Sequence, residues 1–210
     1  MSDAPAGAEL ERWNKRFSAE DYVFGTEPNA FLASQKDRLA PGMSALCVAD
    51  GEGRNSVWLA RQGLRVAAFD FSPVGLQKAR ALARKAGVAV DYRLCEVGGW
   101  DWDAARYDVI AAIFVQFTPP PARARMFAGM ARALNPGGLL ILEGYRPEQL
   151  RYATGGPKQV ENLYTEALLR ESFAGLEILH LASYDAEVDE GGGHRGMSAL
   201  IDLVARRPAR

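Results

Sequence analysis

The chain has 210 residues, of which 48% are hydrophobic and 24% charged, and its 25 Lys and Arg nearly balance its 26 Asp and Glu. This composition excludes a disordered chain, because ample apolar surface is available for burial and the net charge of −1 is small. The length fits one domain, and its 21 glycines follow no collagen-like period.

Several classes of protein are disfavoured by the same sequence. The longest apolar run, Val109–Val115, has the length of a buried strand and not of a membrane span. Met1–Gly7 lacks the basic start and apolar core of a signal peptide, so we expect a cytoplasmic protein. Cys47 and Cys95 predict neither a disulfide framework nor a metal site. The balanced charge gives no overall basic surface for nucleic acid.

In chain order, the first forty residues predict a helical cap. Helices are expected over Glu9–Phe17 and over Pro28–Leu39, where Pro28 suits a helix start. Pro41-Gly42 then predicts a turn. We therefore expect a cap segment at 1–40, followed by a single domain at 41–207.

From residue 41 onward, predicted strands alternate with predicted helices. The strands are Ala45–Ala49, Arg65–Phe69, Val88–Leu94, Asp108–Val115, Leu139–Glu143, Leu176–Tyr184 and Ser198–Ala205. The helices are Arg54–Gln62, Ser72–Ala86, Thr118–Leu134 and Thr165–Phe173, and turns or loops are expected at Asn135–Gly138 and Glu187–Gly196.

This alternation predicts the fold class. Strands joined by helices form a parallel sheet that is covered on both faces, and the last two strands, with no helix between them, predict an antiparallel hairpin. The expected fold is α/β: a Rossmann-like, doubly wound, seven-stranded, mostly parallel sheet with a C-terminal antiparallel hairpin and an N-terminal helical cap.

The first predicted strand runs into a loop with two glycines, Ala49–Asn55. Glycines between a strand and a helix allow a tight turn and let a ligand approach the backbone. Asp70 ends the second strand, where an acidic side chain can accept hydrogen bonds from both ribose hydroxyls of a nucleoside. Loop and acid together predict an adenosine-type cofactor, against the alternative of an ordinary turn with a solvated aspartate.

Other nucleotide-binding patterns fit less well. A dinucleotide fingerprint needs a third glycine where Ser56 stands. A short-chain dehydrogenase needs a Tyr followed four residues later by Lys, and no tyrosine here has that partner. The Gly-Lys-Ser/Thr of a P-loop is also missing.

These motifs together resemble those of class I S-adenosylmethionine-dependent methyltransferases. The resemblance rests on Leu46–Asn55, Asp70, Asn135–Gly138 and the terminal hairpin, and covers about Leu10 to Arg207. The motifs that make the chain similar to the small bacterial tellurite-resistance and thiopurine-type subgroup are Trp13–Phe17, Tyr22–Asn29, Leu142–Tyr145, Pro147–Leu150 and Gly155–Pro157.

Two positions depart from the family pattern. Cys47 stands where the family has an acid, and Ala49 stands where it has its first glycine. The change at Cys47 removes a partner of the loop or of the cofactor's amino group. Asp50 or Glu52 is the expected substitute.

The resemblance implies a set of cofactor contacts. The implied residues are Asp50, Gly51, Glu52, Gly53, Arg54, Asn55, Asp70, Phe71, Glu96, Val97, Phe114 and Val115. Gly51 and Gly53 would let the amino-acid part of the cofactor pass close to the backbone. Arg54 and Asn55 would meet its carboxylate at a helix N-terminus, and Asp70 would hold the ribose. The residues after the second and third strands would lie beside the adenine, and those ending the fourth under the methionine chain.

The implied function is methyl transfer to a small-molecule acceptor, which is a thiol, amine, hydroxyl or metalloid. Such a transfer depends mainly on alignment and desolvation. Candidates for the acceptor side are Trp13, Tyr22, Phe24, Gln116, Phe117, Tyr145 and His194. His194 lies in a glycine-rich loop and is a candidate base, against the alternative of a solvated loop histidine. The alternatives are a module that binds S-adenosylmethionine without turnover, and an NAD(P)-dependent oxidoreductase. Neither the acceptor nor the oligomeric state follows from the sequence.

Overall fold

The computed structural model describes residues 7–152 and 154–209, so the first six residues of the predicted cap segment lie outside the described residues. The helices are α1 (Gly7–Phe17), α2 (Ala30–Ser34), α3 (Arg54–Arg61), α4 (Pro73–Ala86), α5 (Pro120–Ala133) and α6 (Glu166–Ser172). The strands are β1 (Ser44–Val48), β2 (Arg65–Asp70), β3 (Val90–Leu94), β4 (Tyr107–Ile113), β5 (Leu134–Tyr145), β6 (Glu177–Asp189) and β7 (Arg195–Arg206). Short 3-10 helices lie at Lys36–Arg38, Pro147–Arg151 and Val160–Asn162.

The predicted fold class is confirmed. Seven strands of the described residues form a sheet in the order β3-β2-β1-β4-β5-β7-β6. The pairs β1–β2, β2–β3 and β4–β5 are parallel, whereas β7 is antiparallel to both β5 and β6. The chain divides into two compact units, Met1–Asp101 with Glu190–Gly193, and Trp102–Asp189 with His194–Arg210.

In the first unit, local capping sets the ends of the helices. The Ser72 side chain accepts a hydrogen bond from Gly75 N and caps α4, whose first residue is Pro73. Gly87 ends the same helix in the left-handed conformation, with φ of +69°. These are the start and stop that the sequence predicted. In the parallel register of β1 and β2, Val48 lies opposite Phe69, so both strands end at the same edge.

The predicted helix Pro28–Leu39 is wrong in its bounds. The helix α2 begins at Ala30, because the Asn29 side chain accepts from Leu32 N at 2.9 Å and takes the cap position. The helix ends at Ser34, and a 3-10 turn follows it. The backbone N–H of Gln35 bonds back three residues to Leu32 O at 3.1 Å, which tightens the chain there.

In the second unit, the predicted turn Asn135–Gly138 is wrong. It lies within β5, where Gly137 N donates to Arg207 O and Arg207 N donates to Gly138 O, both at 2.9 Å. Gly137 supports this irregular strand with a φ of +81°. The predicted loop Glu187–Gly196 is also too long, because Asp189 and Arg195 still pair across the hairpin.

The predicted helix start at Thr118 is also displaced, since α5 begins at Pro120. Thr118 and Pro119 each precede a proline, and a residue before proline is disfavoured in the helical conformation. Pro119 accordingly has an extended ψ of 162°.

We expect Gly53→Ala to destabilise the protein more than Gly42→Ala does. Both glycines have similar left-handed φ, +92° and +87°, so both variants carry a backbone strain of about 1 kcal/mol. A Cβ on Gly53 would also lie 2.8 Å from the Ala79 Cα, whereas nothing lies within 4 Å at Gly42. Overpacking should add about 1–3 kcal/mol to the loss at Gly53. Urea unfolding measures the free energy of unfolding of both variants. Equal losses of this free energy would contradict the packing explanation.

Candidate functional site

The loop after β1, which we call the glycine loop (residues 49–53), turns through three left-handed residues. Ala49, Gly51 and Gly53 have φ of +49°, +60° and +92°. The loop is tied to β2, because Asp50 N donates to Phe69 O at 3.0 Å. A non-glycine residue in this conformation is strained, and such strain is typical of functional loops.

Packing within the first unit disfavours a side chain at both loop glycines, and more strongly at Gly53 than at Gly51. A Cβ on Gly51 would lie 3.3 Å from the Phe17 ring, and a Cβ on Gly53 would meet Ala79 and the Tyr92 hydroxyl. The sequence indicated glycines here for approach to a cofactor; the structure adds that Phe17 covers one side of Gly51. Phe17 is a residue that sequence reasoning missed, because its spacing in α1 shows only an apolar helix face.

Asp70 joins the end of β2 to the glycine loop. Its side chain is 4% exposed, and it accepts from Gly51 N at 2.9 Å and from Ser72 N at 2.8 Å. Burial raises the pKa of Asp70 to about 6, against the lowering effect of these backbone hydrogen bonds. Each carboxylate oxygen can accept more than one hydrogen bond, so hydroxyl donors such as those of a ribose suit this group.

Asp50 lies in a polar cluster with residues of β1, α3 and β3. Its carboxylate accepts from Ser56 Oγ and from Ser56 N, and the same Ser56 Oγ lies 2.9 Å from the Tyr92 hydroxyl. Burial raises the pKa of Asp50 to about 7, and it also raises the pKa of the neighbouring Cys47 thiol. Asp50 therefore places a carboxyl group beside the position where Cys47 replaces the acid of the family pattern.

Glu52 connects the glycine loop to the segment after α1. One carboxylate oxygen accepts from Val23 N at 2.7 Å, and the other pairs with Lys78 Nζ at 2.6 Å. Lys78 also donates to the carbonyls of Ala19 and Asp21. Both carboxylate oxygens of Glu52 thus interact with other groups of the protein, which indicates that this side chain anchors the segment after α1.

Arg54 and Asn55 begin α3, and both have partners within the first unit. Arg54 Nη2 pairs with a Glu190 oxygen at 2.6 Å, and its Nη1 donates to Phe24 O at 3.4 Å. Asn55 Oδ1 accepts from Asn29 N at 3.0 Å. Glu190 is a second residue that sequence reasoning missed, since it lies 136 positions from Arg54 and no local pattern links them.

The aromatic candidates of the first unit separate into two places. Trp13 and Phe24 cluster with Phe17, with ring centroids 5.2–6.5 Å apart. Tyr22 instead packs against the apolar cluster of Val57, Leu82 and Ala83 on α3 and α4, and its hydroxyl donates to Lys78 O. Tyr22 therefore lies against α3 and α4.

The candidates that follow β2 and β3 are less enclosed. Phe71 and Val97 are half-buried, and Glu96 is exposed. The Glu96 carbonyl accepts from Gly99 N at 3.0 Å in a turn. In the same region Trp100 stacks on the buried Phe69 ring at 4.3 Å.

In the second unit, a ring cluster follows β4. Phe114 has a left-handed φ of +55°, and its ring lies 4.7 Å from Tyr145 and 4.4 Å from His194. His194 is buried against these rings, so it is not the solvated loop histidine that its glycine-rich surroundings suggest. Val115 is fully buried, and its carbonyl accepts from the Tyr164 hydroxyl.

Gln116 and Phe117 differ in their surroundings. The Gln116 amide is buried; it donates to the carbonyls of Tyr145 and Asn162 and accepts from Tyr145 N. These contacts hold the end of β5, so the Gln116 side chain is engaged by protein backbone. Phe117 is 43% exposed.

Two features are absent from residues 7–152 and 154–209. No helix in them is long and apolar enough to cross a membrane. No group of three or more His, Cys, Asp or Glu side chains in this part of the chain could hold a metal ion.

Residues 45–138 match the sequence profile of a family described as Methyltransferase domain. The chain is 33% identical over 114 residues to the ubiquinone biosynthesis O-methyltransferase of Methylocella silvestris. The alignment covers 50% of this chain and 43% of that protein. The alignments with the first curated relatives thus span less than half of those proteins' lengths.

Solved structures are similar over nearly the whole chain. TehB from Haemophilus influenzae has a TM-score of 0.70 at 16% identity, covering 95% of this chain and 67% of that one. The N-methyltransferase NodS from Bradyrhizobium japonicum, in complex with S-adenosyl-L-homocysteine, has a TM-score of 0.70 at 13% identity, covering 95% and 98%. The chain therefore has the class I methyltransferase fold, and residues 45–138 carry a methyltransferase-domain sequence.

Proposed function

We propose that this protein is an S-adenosylmethionine-dependent methyltransferase that acts on a small-molecule acceptor. The observation that carries the proposal is Asp70, a buried carboxylate that bonds Gly51 N at the end of β2. It lies within the segment that matches a methyltransferase domain. The NodS structure contains S-adenosyl-L-homocysteine, the demethylated form of this cofactor, which supports the choice of nucleoside.

The residues present fit such a cofactor. In this proposal, Asp70 accepts hydrogen bonds from the ribose hydroxyls. Burial raises the pKa of Asp70 because it disfavours the charged form, and the added hydrogen-bond donors of the ribose would stabilise that charged form. The Arg54 guanidinium and the N-terminus of α3 bind the carboxylate of the amino-acid part. Phe71, Glu96 and Val97 remain predicted contacts of the adenine.

When bound, the cofactor supplies a methyl group carried on a sulfonium. The protein's task is to align the two reactants and to exclude water, because methyl transfer disperses charge and needs little proton transfer. Aromatic faces attract a cationic sulfonium by about 1 kcal/mol or more where water is excluded. The cluster of Trp13, Phe17 and Phe24 in the first unit is our candidate for this role. Phe114 and Val115 stay predicted contacts of the methionine chain.

For the acceptor we propose a compound with a thiol, amine, hydroxyl or metalloid nucleophile. The O-methyltransferase and N-methyltransferase named above support oxygen and nitrogen nucleophiles. Phe114, Tyr145 and His194 form the candidate acceptor cluster, in which the imidazole of His194 takes the proton that an amine or hydroxyl releases. Phe117 stays a candidate contact, and the division into a cap at 1–40 and a domain at 41–207 stays a prediction.

The alternative of a module that binds the cofactor without turnover rested on the acid missing at Cys47. Asp50 weighs against that alternative, because it supplies a carboxyl group next to the position of the missing acid. This carboxyl group lies beside the Cys47 thiol and accepts a hydrogen bond from Ser56 Oγ. An NAD(P)-dependent oxidoreductase is disfavoured by the methyltransferase-domain match.

We expect S-adenosyl-L-homocysteine to raise the melting temperature of the protein, and NAD to leave it unchanged. A ligand at about 100 times its Kd stabilises the folded state by about 2.7 kcal/mol. For a chain of this length that corresponds to about 5–10 °C. Differential scanning fluorimetry measures both compounds. A shift with NAD and none with S-adenosyl-L-homocysteine would overturn the proposed function.

We expect Asp70→Asn to weaken the binding of S-adenosyl-L-homocysteine by about tenfold or more, because a charged acceptor is lost. The free energy of unfolding should also fall, by about 1–3 kcal/mol, since Asp70 bonds Gly51 N and Ser72 N. Isothermal titration calorimetry and urea unfolding measure the two effects. The matched control is Asp91→Asn on β3, where the carboxylate is exposed and pairs with Arg93, two residues further along the strand. Unchanged affinity in folded Asp70→Asn would contradict the ribose assignment.

We expect the stability of the wild-type protein, relative to Asp50→Asn, to fall as the pH rises from about 5 to about 8. The folded-state pKa of Asp50 is raised to about 7, above its unfolded value of 3.8. The stability from this group is therefore fully present below the unfolded pKa and is lost as the pH passes through the folded pKa. The asparagine side chain of the variant cannot titrate, so urea unfolding at several pH values isolates this contribution. A constant difference between the two proteins would show that Asp50 is ionised throughout.

A further inference from the structure

Glu190 lies between β6 and β7, yet it belongs to the first compact unit. One of its carboxylate oxygens pairs with Arg54 Nη2 at 2.6 Å. The other accepts from Ala30 N at 2.9 Å and from Asn29 Nδ2 at 3.0 Å. The side chains of Arg54 and Glu190 are only 8% and 12% exposed. A pair so well enclosed is weakly screened by solvent, unlike the exposed ion pairs of the same chain.

The residues that follow Glu190 are fitted closely against the segment after α1. A Cβ on Gly191 would lie 2.6 Å from Gly25 N, and one on Gly193 would lie 2.4 Å from the Phe24 ring. Gly193 N also donates to Val23 O at 2.8 Å. This packing leaves the tip of the hairpin, residues 190–193, little freedom to shift, and so it fixes where the Glu190 carboxylate lies.

The ion pair with Glu190 therefore orders the Arg54 side chain before any ligand binds. Its guanidinium has more N–H donors than its contacts with Glu190 and Phe24 O use. A long side chain that is already ordered binds a carboxylate with a smaller loss of conformational freedom. Because Arg54 begins α3 directly after the glycine loop, the position of its guanidinium decides whether it can reach the cofactor's carboxylate.

We propose that Glu190 is a positioning residue for the amino-acid part of the cofactor: it holds Arg54 in place to bind the carboxylate. This inference rests on the proposed function, in which Arg54 binds that carboxylate. It makes cofactor affinity depend on the loop between the last two strands, far along the chain from the glycine loop. Nucleosides without the amino-acid part should not depend on Glu190.

The test compares two ligands on Glu190→Gln. We expect the Kd for S-adenosyl-L-homocysteine to rise about tenfold, because an Arg54 side chain that is no longer held must lose its conformational freedom when the ligand binds. The Kd for 5′-methylthioadenosine, which keeps the nucleoside and the sulfur but has no carboxylate, should change less than about twofold. Isothermal titration calorimetry measures both. The matched control is Asp189→Asn, which removes an adjacent carboxylate whose ion pair with Arg195 is exposed, and both Kd values should stay at wild-type level.

The possible results separate the inference from the proposed function. Equal weakening of both ligands by Glu190→Gln would mean that the loop only supports the fold, and unchanged binding of both would also overturn the inference. Wild-type protein that binds neither ligand would overturn the proposed function itself. Should thermal melting show that Glu190→Gln is unfolded, Glu190→Asp keeps the charge but is one methylene shorter. We then expect weaker binding of S-adenosyl-L-homocysteine alone, and equal changes in both ligands would count against the inference.

Discussion

The hydrogen bond from Gly51 N to the Asp70 carboxylate is the contact on which the candidate site depends. It joins the end of β2 to the glycine loop, and the second oxygen of Asp70 holds Ser72 N at the start of α4. One buried side chain thus fixes two turns that follow neighbouring parallel strands. Burying a carboxylate is unfavourable unless donors surround it, and here the donors are backbone amides of these two turns, Gly51 N and Ser72 N. The geometry of the loop and the charge of Asp70 are therefore maintained together.

Around this contact, the first unit arranges charged groups that hold one another in place. Asp50 accepts a hydrogen bond from Ser56. Glu52 accepts a hydrogen bond from Val23 N and forms an ion pair with Lys78, and Glu190 forms an ion pair with Arg54. Of these, Asp50 lies beside Cys47, so a carboxyl group accompanies the glycine loop even though the family's acid position is a cysteine. The raised pKa of Asp50 shows that this placement is costly for the ionised form.

The sequence was informative where structure is set locally. Periodicity located every strand of the described sheet, and Ser72-Pro73 with Gly87 marked the ends of α4, because caps and left-handed glycines act over a few residues. It failed where a distant partner decides the outcome. Asn135–Gly138 looks like a turn, but pairing with Arg207 keeps it in a strand. Phe17 and Glu190 carry no local signal either, since their importance lies in contacts with Gly51 and Arg54.

The central claim is that the glycine loop and Asp70 bind the nucleoside and amino-acid parts of S-adenosylmethionine. The most direct measurement is a titration of the ¹⁵N-labelled protein with S-adenosyl-L-homocysteine, followed through backbone amide resonances. We expect saturable shifts at Gly51, Gly53 and Ser72, and none at Gly42, which lies in a turn away from these contacts. Saturable binding that leaves the Gly51 and Ser72 resonances unchanged would contradict the account.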